Sequence, residues 1–129
     1  MSAFDDLDRM IAKCREIPAI TRRAAPDVAT AMRKEILRTT SAGTDAEGKP
    51  WKPKIADGGR PLVDAASAVR VAVIDTRVLA RVTGPEARHH TGRVKGGTQR
   101  GIIPTRLTPR LAERVREILN EHFRAIVEG

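Results

Sequence analysis

Residues 43–61 contain Gly43, Gly48, Pro50, Pro53, Gly58, Gly59 and Pro61, seven breakers in nineteen positions. Proline lacks the amide hydrogen that helices and ladders use, and glycine weakens either element, so this density excludes a long helix or a central strand. The fold must therefore carry a long irregular segment between its regular elements. Loops of that length in compact domains are either functional or disordered. The only tryptophan of the chain, Trp51, lies inside it, in "GKPWKPK", although tyrosine is absent and phenylalanine occurs twice. The flanking prolines restrict the undocked loop and so reduce the entropy lost when Trp51 packs. Two docking places remain open. One is the sheet of its own subunit. The other is a subunit interface, where tryptophan is enriched.

Regular patterns flank this segment. Phe4, Leu7, Met10, Ile11, Cys14 and Ile17 recur at spacings of three and four, which predicts a helix over residues 3–17. Ser2 is placed to cap it, Asp5 and Asp6 suit its positive end, and Pro18 stops it. A second helix is expected over 25–39, with Pro26 in its first turn and Val28, Met32, Ile36 and Leu37 on its buried face. "TTSAG" ends it. After the loop, Val69, Val71 and Val73 alternate with Arg70 and Ala72, and Val78, Ala80 and Val82 alternate with Leu79 and Arg81. This reads as an antiparallel hairpin over 68–83. Two strands alone are rarely stable. Cover must come from the helices, from further strands at 61–64 or 101–106, or from a neighbouring subunit.

Residues 84–107 read as a basic, glycine-rich loop. Residues 109–127 read as a closing amphipathic helix, with Thr108 as cap, Pro109 at its first position and Leu111, Val115, Ile118, Leu119, His122, Ile126 and Val127 along one face. Glu113–Arg116 and Glu121–Arg124 are spaced for surface pairs. The expected architecture is a single α+β domain over 1–129. Its antiparallel sheet packs against the N-terminal helices and the C-terminal helix, with long loops between.

Alanine supplies 18 of the 52 hydrophobic residues, so the core is thin for 129 residues, and assembly is expected to add stability. The net charge of +8 concentrates in two segments, with +4 over 22–60 and +5 over 84–110. Basic loops suit a phosphate partner or simple solubility. The single cysteine, Cys14, excludes an internal disulfide, is expected to be a buried, inert thiol, and is compatible with a reducing compartment. The acidic N-terminus does not resemble a signal peptide, and no membrane partner is expected.

The chemistry-bearing motifs are weak. "GRVKGGTQRG" lacks the lysine directly after the last glycine that a phosphate loop requires, and it leads into the extended "IIP". His89, His90, His122 and Cys14 do not form a zinc pattern. Ser2, Ser41 and Ser67 lie outside any nucleophile elbow, and Cys14 sits mid-helix rather than at a helix N-terminus, where thiols are activated. No enzyme, cofactor or metal is expected. A small hydrolase or toxin would need an acid–base set that is not visible. Single-strand binding would need stacked aromatics, which are missing.

The order of "AEGKPWKP", "RPLVDAASAV", a hairpin, "ARHHTGRV", "IIPTR" and a closing helix resembles the phage virion morphogenesis or tail-completion family. That family typically shows D-x-x-G-x-P-W, then L-x-x-T-G-x-L, an H-x-x-G loop, an aromatic-containing R-P-F and a C-terminal helix. The matching residues are Asp45, Gly48, Pro50, Trp51, Leu62, Asp64, His89 or His90, Gly92, Pro104 and Arg106. Ala65–Ala66 stands where Thr–Gly is usual, the loop around Gly92 lacks its aromatic, and Leu107 stands near the expected phenylalanine.

The resemblance implies a non-enzymatic virion protein at the neck or tail end, a tail-completion, tail-terminator or head–tail connector component, assembled in the host cytoplasm. Such proteins form homo-oligomeric rings, often hexamers, that contact neighbouring neck or tail-tube proteins and let DNA pass. Trp51, Pro50, Pro53 and Leu62 become interface candidates. Arg93, Lys95 and Arg100 become candidates for facing the channel or an acidic partner, against the alternative of a solvated mobile loop. The rival reading is a small basic module that contacts duplex DNA non-specifically.

Overall fold

A computed structural model describes residues 3–54, 58–59, 61–92 and 98–129. Ser2, and with it the expected cap, lies outside the described residues. The fold is α+β, with helices at both ends and an antiparallel sheet between them. Helix α1 (Ala3–Glu16) stops before Pro18, which sits in a 3-10 turn over Ile17–Ala19. Helix α2 (Ile20–Ala42) follows directly.

Helix α2 is longer than its pattern suggests. It begins before Pro26 because Ile20, Ala24, Ala25 and Ala29 are all buried, and that packing offsets the amide Pro26 withholds from the preceding turn. It also runs past Thr39. The Thr39 and Thr40 hydroxyls donate to the carbonyl of Ile36 at 3.1 and 2.8 Å, so two buried threonines satisfy themselves within the helix. Gly43, at φ 73°, then ends it, donating its amide to the Thr39 and Thr40 carbonyls.

Strands β1 (Val69–Ile74) and β2 (Arg77–Val82) pair antiparallel, with Val69 opposite Val82, Val71 opposite Ala80 and Val73 opposite Val78. Period-two alternation puts these six on one face. Helix α2 packs against the hairpin, and Arg33 donates to the Val71 carbonyl at 2.9 Å. Arg22 pairs with Asp75 in the turn at 2.9 Å. Segments 61–64 and 101–106 add no strand; cover from 101–106 comes instead from Ile102 and Ile103 side chains near Val69 and Val82.

Helix α3 (Glu86–Thr91) was not expected, since residues 84–107 read as loop. It is too short to show an apolar stripe, and only its acidic first turn and the closing Gly92 mark it. Helix α4 (Pro109–Glu128) begins where expected, with the Leu111 amide donating to the Thr108 hydroxyl at 3.3 Å. It lies antiparallel to α2: Arg110 meets Glu35 at 3.1 Å at one end, and His122 meets Asp27 at 2.7 Å toward the other. Ala24 and Ala31 let Ile118 approach closely, flanked by Val28 and Leu119. The Glu113–Arg116 pair forms at 3.0 Å, whereas Glu121 reaches Arg114 at 3.7 Å.

The core is thin. Among the described residues, six of the thirteen buried hydrophobic residues are alanine, and thirteen large hydrophobic residues are exposed. Helix α1 accounts for many of the latter. From residue 4 to residue 16 every side chain but Lys13 is exposed, including Cys14. The expectation of a buried thiol is overturned, because the stripe that carries Cys14 has no covering element among the described residues.

Candidate functional site

Residues 43–54, the described first part of the breaker-rich segment, fold as a clasp around Trp51. Asp45 organises the turn: its Oδ1 accepts the Glu47 and Lys49 amides, both at 2.9 Å, and its backbone carbonyl accepts from Gly48 at 3.0 Å. Asp is suited to this role because its short carboxylate reaches amides two residues on. Gly48 adopts φ 85°, which an L side chain rarely does. The turn brings Thr44 and Pro50 into a bridge, and the Trp51 amide donates to the Gly43 carbonyl at 2.9 Å.

Trp51 then packs into its own subunit. It is buried with Ala65 and Ile102, flanked by Leu62, Val69, Val82 and Ile103. Its indole Nε1 donates to the Gly101 carbonyl at 2.8 Å, fulfilling the polar end of a buried indole. Of the two docking places open to the sequence, the described fold fills the first. Pro50 and Pro53 remain exposed beside it, and Leu62 lies half-buried against the tryptophan at φ 53°.

Arg100 closes the clasp from the other side. Only 5% of it is exposed. Its Nε donates to the Lys52 carbonyl at 2.9 Å, Nη2 to the Pro53 carbonyl at 3.0 Å, and Nη1 to His89 Nδ1 at 3.1 Å. Its amide donates to the His89 carbonyl at 2.8 Å. Arg100 therefore points inward, toward the loop that holds Trp51. Arg93 and Lys95 lie outside the described residues.

His90 works in the same unit. The Ile102 amide donates to its Nδ1 at 3.0 Å, so that nitrogen carries no proton, and the Gln99 amide group donates to its carbonyl at 3.0 Å. Burial pushes its pKa below the ordinary histidine value. Arg106 reaches back to Glu47 at 2.7 Å, tying "IIPTR" to the Asp45 turn. The motif residues Asp45, Gly48, Trp51, His89, His90 and Arg106, dispersed over sixty residues of sequence, thus meet in one structure. An open groove of about 320 Å³ runs beside it, lined by Asp45, Pro50, Trp51, His90, Ile103 and Thr108 among others. The His90 Nδ1 and the Thr108 hydroxyl there both accept backbone amides.

Sequence reasoning missed the inward role of Arg100 and the two histidines. The one available signal was that Pro53 cannot join a ladder, so the carbonyls around it need donors from elsewhere. Among the described residues no three His, Cys, Asp or Glu side chains gather to hold a metal, and no helix is long and apolar enough to cross a membrane.

A second feature is the open apolar surface. On α1, Phe4 is 78% and Met10 62% exposed. On the hairpin, the face turned away from the valines consists of Arg70, Ala72, Ile74, Arg77, Leu79 and Arg81, all exposed. Compared with known proteins, the chain matches no family model, no curated protein and no solved structure.

Proposed function

We propose that this protein is a structural subunit of a phage or phage-like virion. It serves the neck or tail end as a tail-completion or head–tail joining component and assembles into a ring around a DNA channel. The observation that carries the reading is its surface. The chain exposes 8954 Å², whereas a compact monomer of its mass exposes roughly 6,700 Å². The excess exceeds the roughly 1,600 Å² that contacts with two neighbours, on the order of 800 Å² each, remove from one subunit, so there is surface enough for both. Exposed large hydrophobic side chains lie on α1, the hairpin and the end of α4. The family-like motif residues add support, because Asp45, Gly48, Trp51, His89, His90 and Arg106 each have a definite place in the clasp around Trp51.

The mechanism is mechanical. The clasp holds a proline-stiffened loop, with Pro50 and Pro53 outward, on a rigid base. A ring of such loops presents a repeated surface to the next protein of the neck or tail tube, while the subunit itself performs no chemistry. Deleting the gene from its phage tests this. DNA-filled heads and separate tails are expected by electron microscopy. Complete, infectious particles would overturn the reading.

A second reading is favoured by one observation. The outer hairpin face carries three arginines and no acid, and a two-stranded ribbon fits the major groove of duplex DNA. Non-specific duplex binding by a monomer would then fall steeply with added salt.

A further inference from the structure

On the ring reading above, we propose how the ring is joined: the apolar stripe of α1 docks across the outer hairpin face of the next copy of this chain.

Both surfaces lack cover in the isolated subunit. A helix of 14 residues is marginal in water without packing, yet α1 is exposed almost all round. Polar ties join it to its neighbours near its C-terminal end, from Lys13 Nζ to the Val127 carbonyl of α4 at 2.9 Å and from Glu16 to Arg23 of α2 at 4.0 Å. Phe4, Leu7, Met10 and Ile11 form a continuous apolar stripe, and helical spacing sets Asp6 along one edge and Asp8 along the other. The hairpin offers the complement. Ala72, Ile74 and Leu79 make an apolar strip between arginines, and Arg70 stands directly opposite Arg81 in the register. Like charges placed so repel, and a carboxylate between them relieves it. Asp75, in the adjoining turn, is already paired with Arg22.

The dimensions agree. The 14 residues of α1 span ~21 Å, and the six-residue strands span ~20 Å. The apolar strip favours a protein over DNA, since phosphates gain nothing from Ile74 and Leu79. Docking within one chain is excluded by connection. Helix α2 packs on the valine face, and the three residues of the turn over Ile17–Ala19 do not carry α1 round the sheet to its other face. The two patches are different surfaces, so the contact can repeat head-to-tail from copy to copy, which generates a closed ring when the rotation fits.

Charge exchange on the full-length protein tests the contact. D6K/D8K makes the helix edges basic, and R77E/R81E makes the hairpin face acidic. All four positions are exposed, so circular dichroism should remain that of the wild type. Native mass spectrometry and light scattering then report assembly. Each variant alone should dissociate at about 30-fold higher concentration than wild type at low salt. An equimolar mixture should recover wild-type affinity, with the two chains alternating. Cys14, on the same stripe, should be protected from maleimide in the wild-type assembly and reactive in either variant alone. If both variants assemble as wild type does, the docking is wrong while the ring stands. If wild type stays monomeric and R77E/R81E abolishes salt-sensitive duplex binding, the hairpin face belongs to DNA and both the docking and the ring fall.

Discussion

Replacing Arg100 by alanine separates an inward clamp from a channel-facing cation. The guanidinium makes three bonds, to the carbonyls of Lys52 and Pro53 and to His89 Nδ1. Hydrogen bonds to charged groups contribute about 1.5–3 kcal/mol each when buried. Lys52 and Pro53 are exposed residues, so water replaces part of what their carbonyls lose. Each carbonyl bond therefore falls below that range, to about 1 kcal/mol. The buried aliphatic stem adds about 1 kcal/mol. The expected cost of Arg100→Ala is about 2–4 kcal/mol. Trp51, as the sole tryptophan, reports it directly: emission should shift to the red as the clasp opens, and urea unfolding should show a lower midpoint with an unchanged slope. The melting temperature should fall by about 4 °C for each kcal/mol. Arg100→Lys, which keeps the charge and stem but cannot span three acceptors, should lose about half as much. A change within about 0.5 kcal/mol for Arg100→Ala would refute the clamp, because that is what an exposed loop cation costs.

Further outcomes follow from the same contacts. His90 is held neutral by burial, so the unfolded chain binds a proton that the native chain resists. Stability should be full above about pH 6.5 and decline as pH falls below it, and His90→Asn, which still accepts the Ile102 amide, should flatten that slope in pH-dependent urea titrations. The Arg38 hydrogen bond holds Glu35 below its ordinary value, with burial opposing and Arg110 assisting. A second loss, at more acid pH, should therefore shrink in Arg38→Ala when followed by far-UV circular dichroism. Thr108→Ala removes the cap of α4 and should cost about 1 kcal/mol in thermal unfolding, with Thr108→Asp restoring most of it.

Where local pattern and packing agree, the fold was legible. The stripe of α4 and the alternation of the hairpin each placed an element within a residue or two of its observed ends. The stripe of α1 identified a helix but not its exposure. Periodicity says that one face is apolar, and only the rest of the molecule says whether anything covers it. The start of α2 was hidden by Pro26, which reads as a first-turn residue, while the alanines that bury the preceding turn carry little pattern of their own. The clasp was half legible. "DAEGKPW" marked Trp51 as a docked side chain, but its partners, Gly101 and Ile102, lie fifty residues away. Arg100 read as a loop cation because glycines surround it, and its acceptors are backbone carbonyls, which leave no side-chain signature.

The central claim is that this subunit completes its burial by assembling with copies of itself. The most direct test is the native mass of the purified full-length chain over a concentration series, at low and at physiological salt. A ring-forming subunit gives a single closed species at an integer multiple of the 14.1 kDa chain, dissociating to monomer on dilution. A monomer at every concentration, with α1 as exposed to hydrogen exchange at the highest as at the lowest, would contradict it.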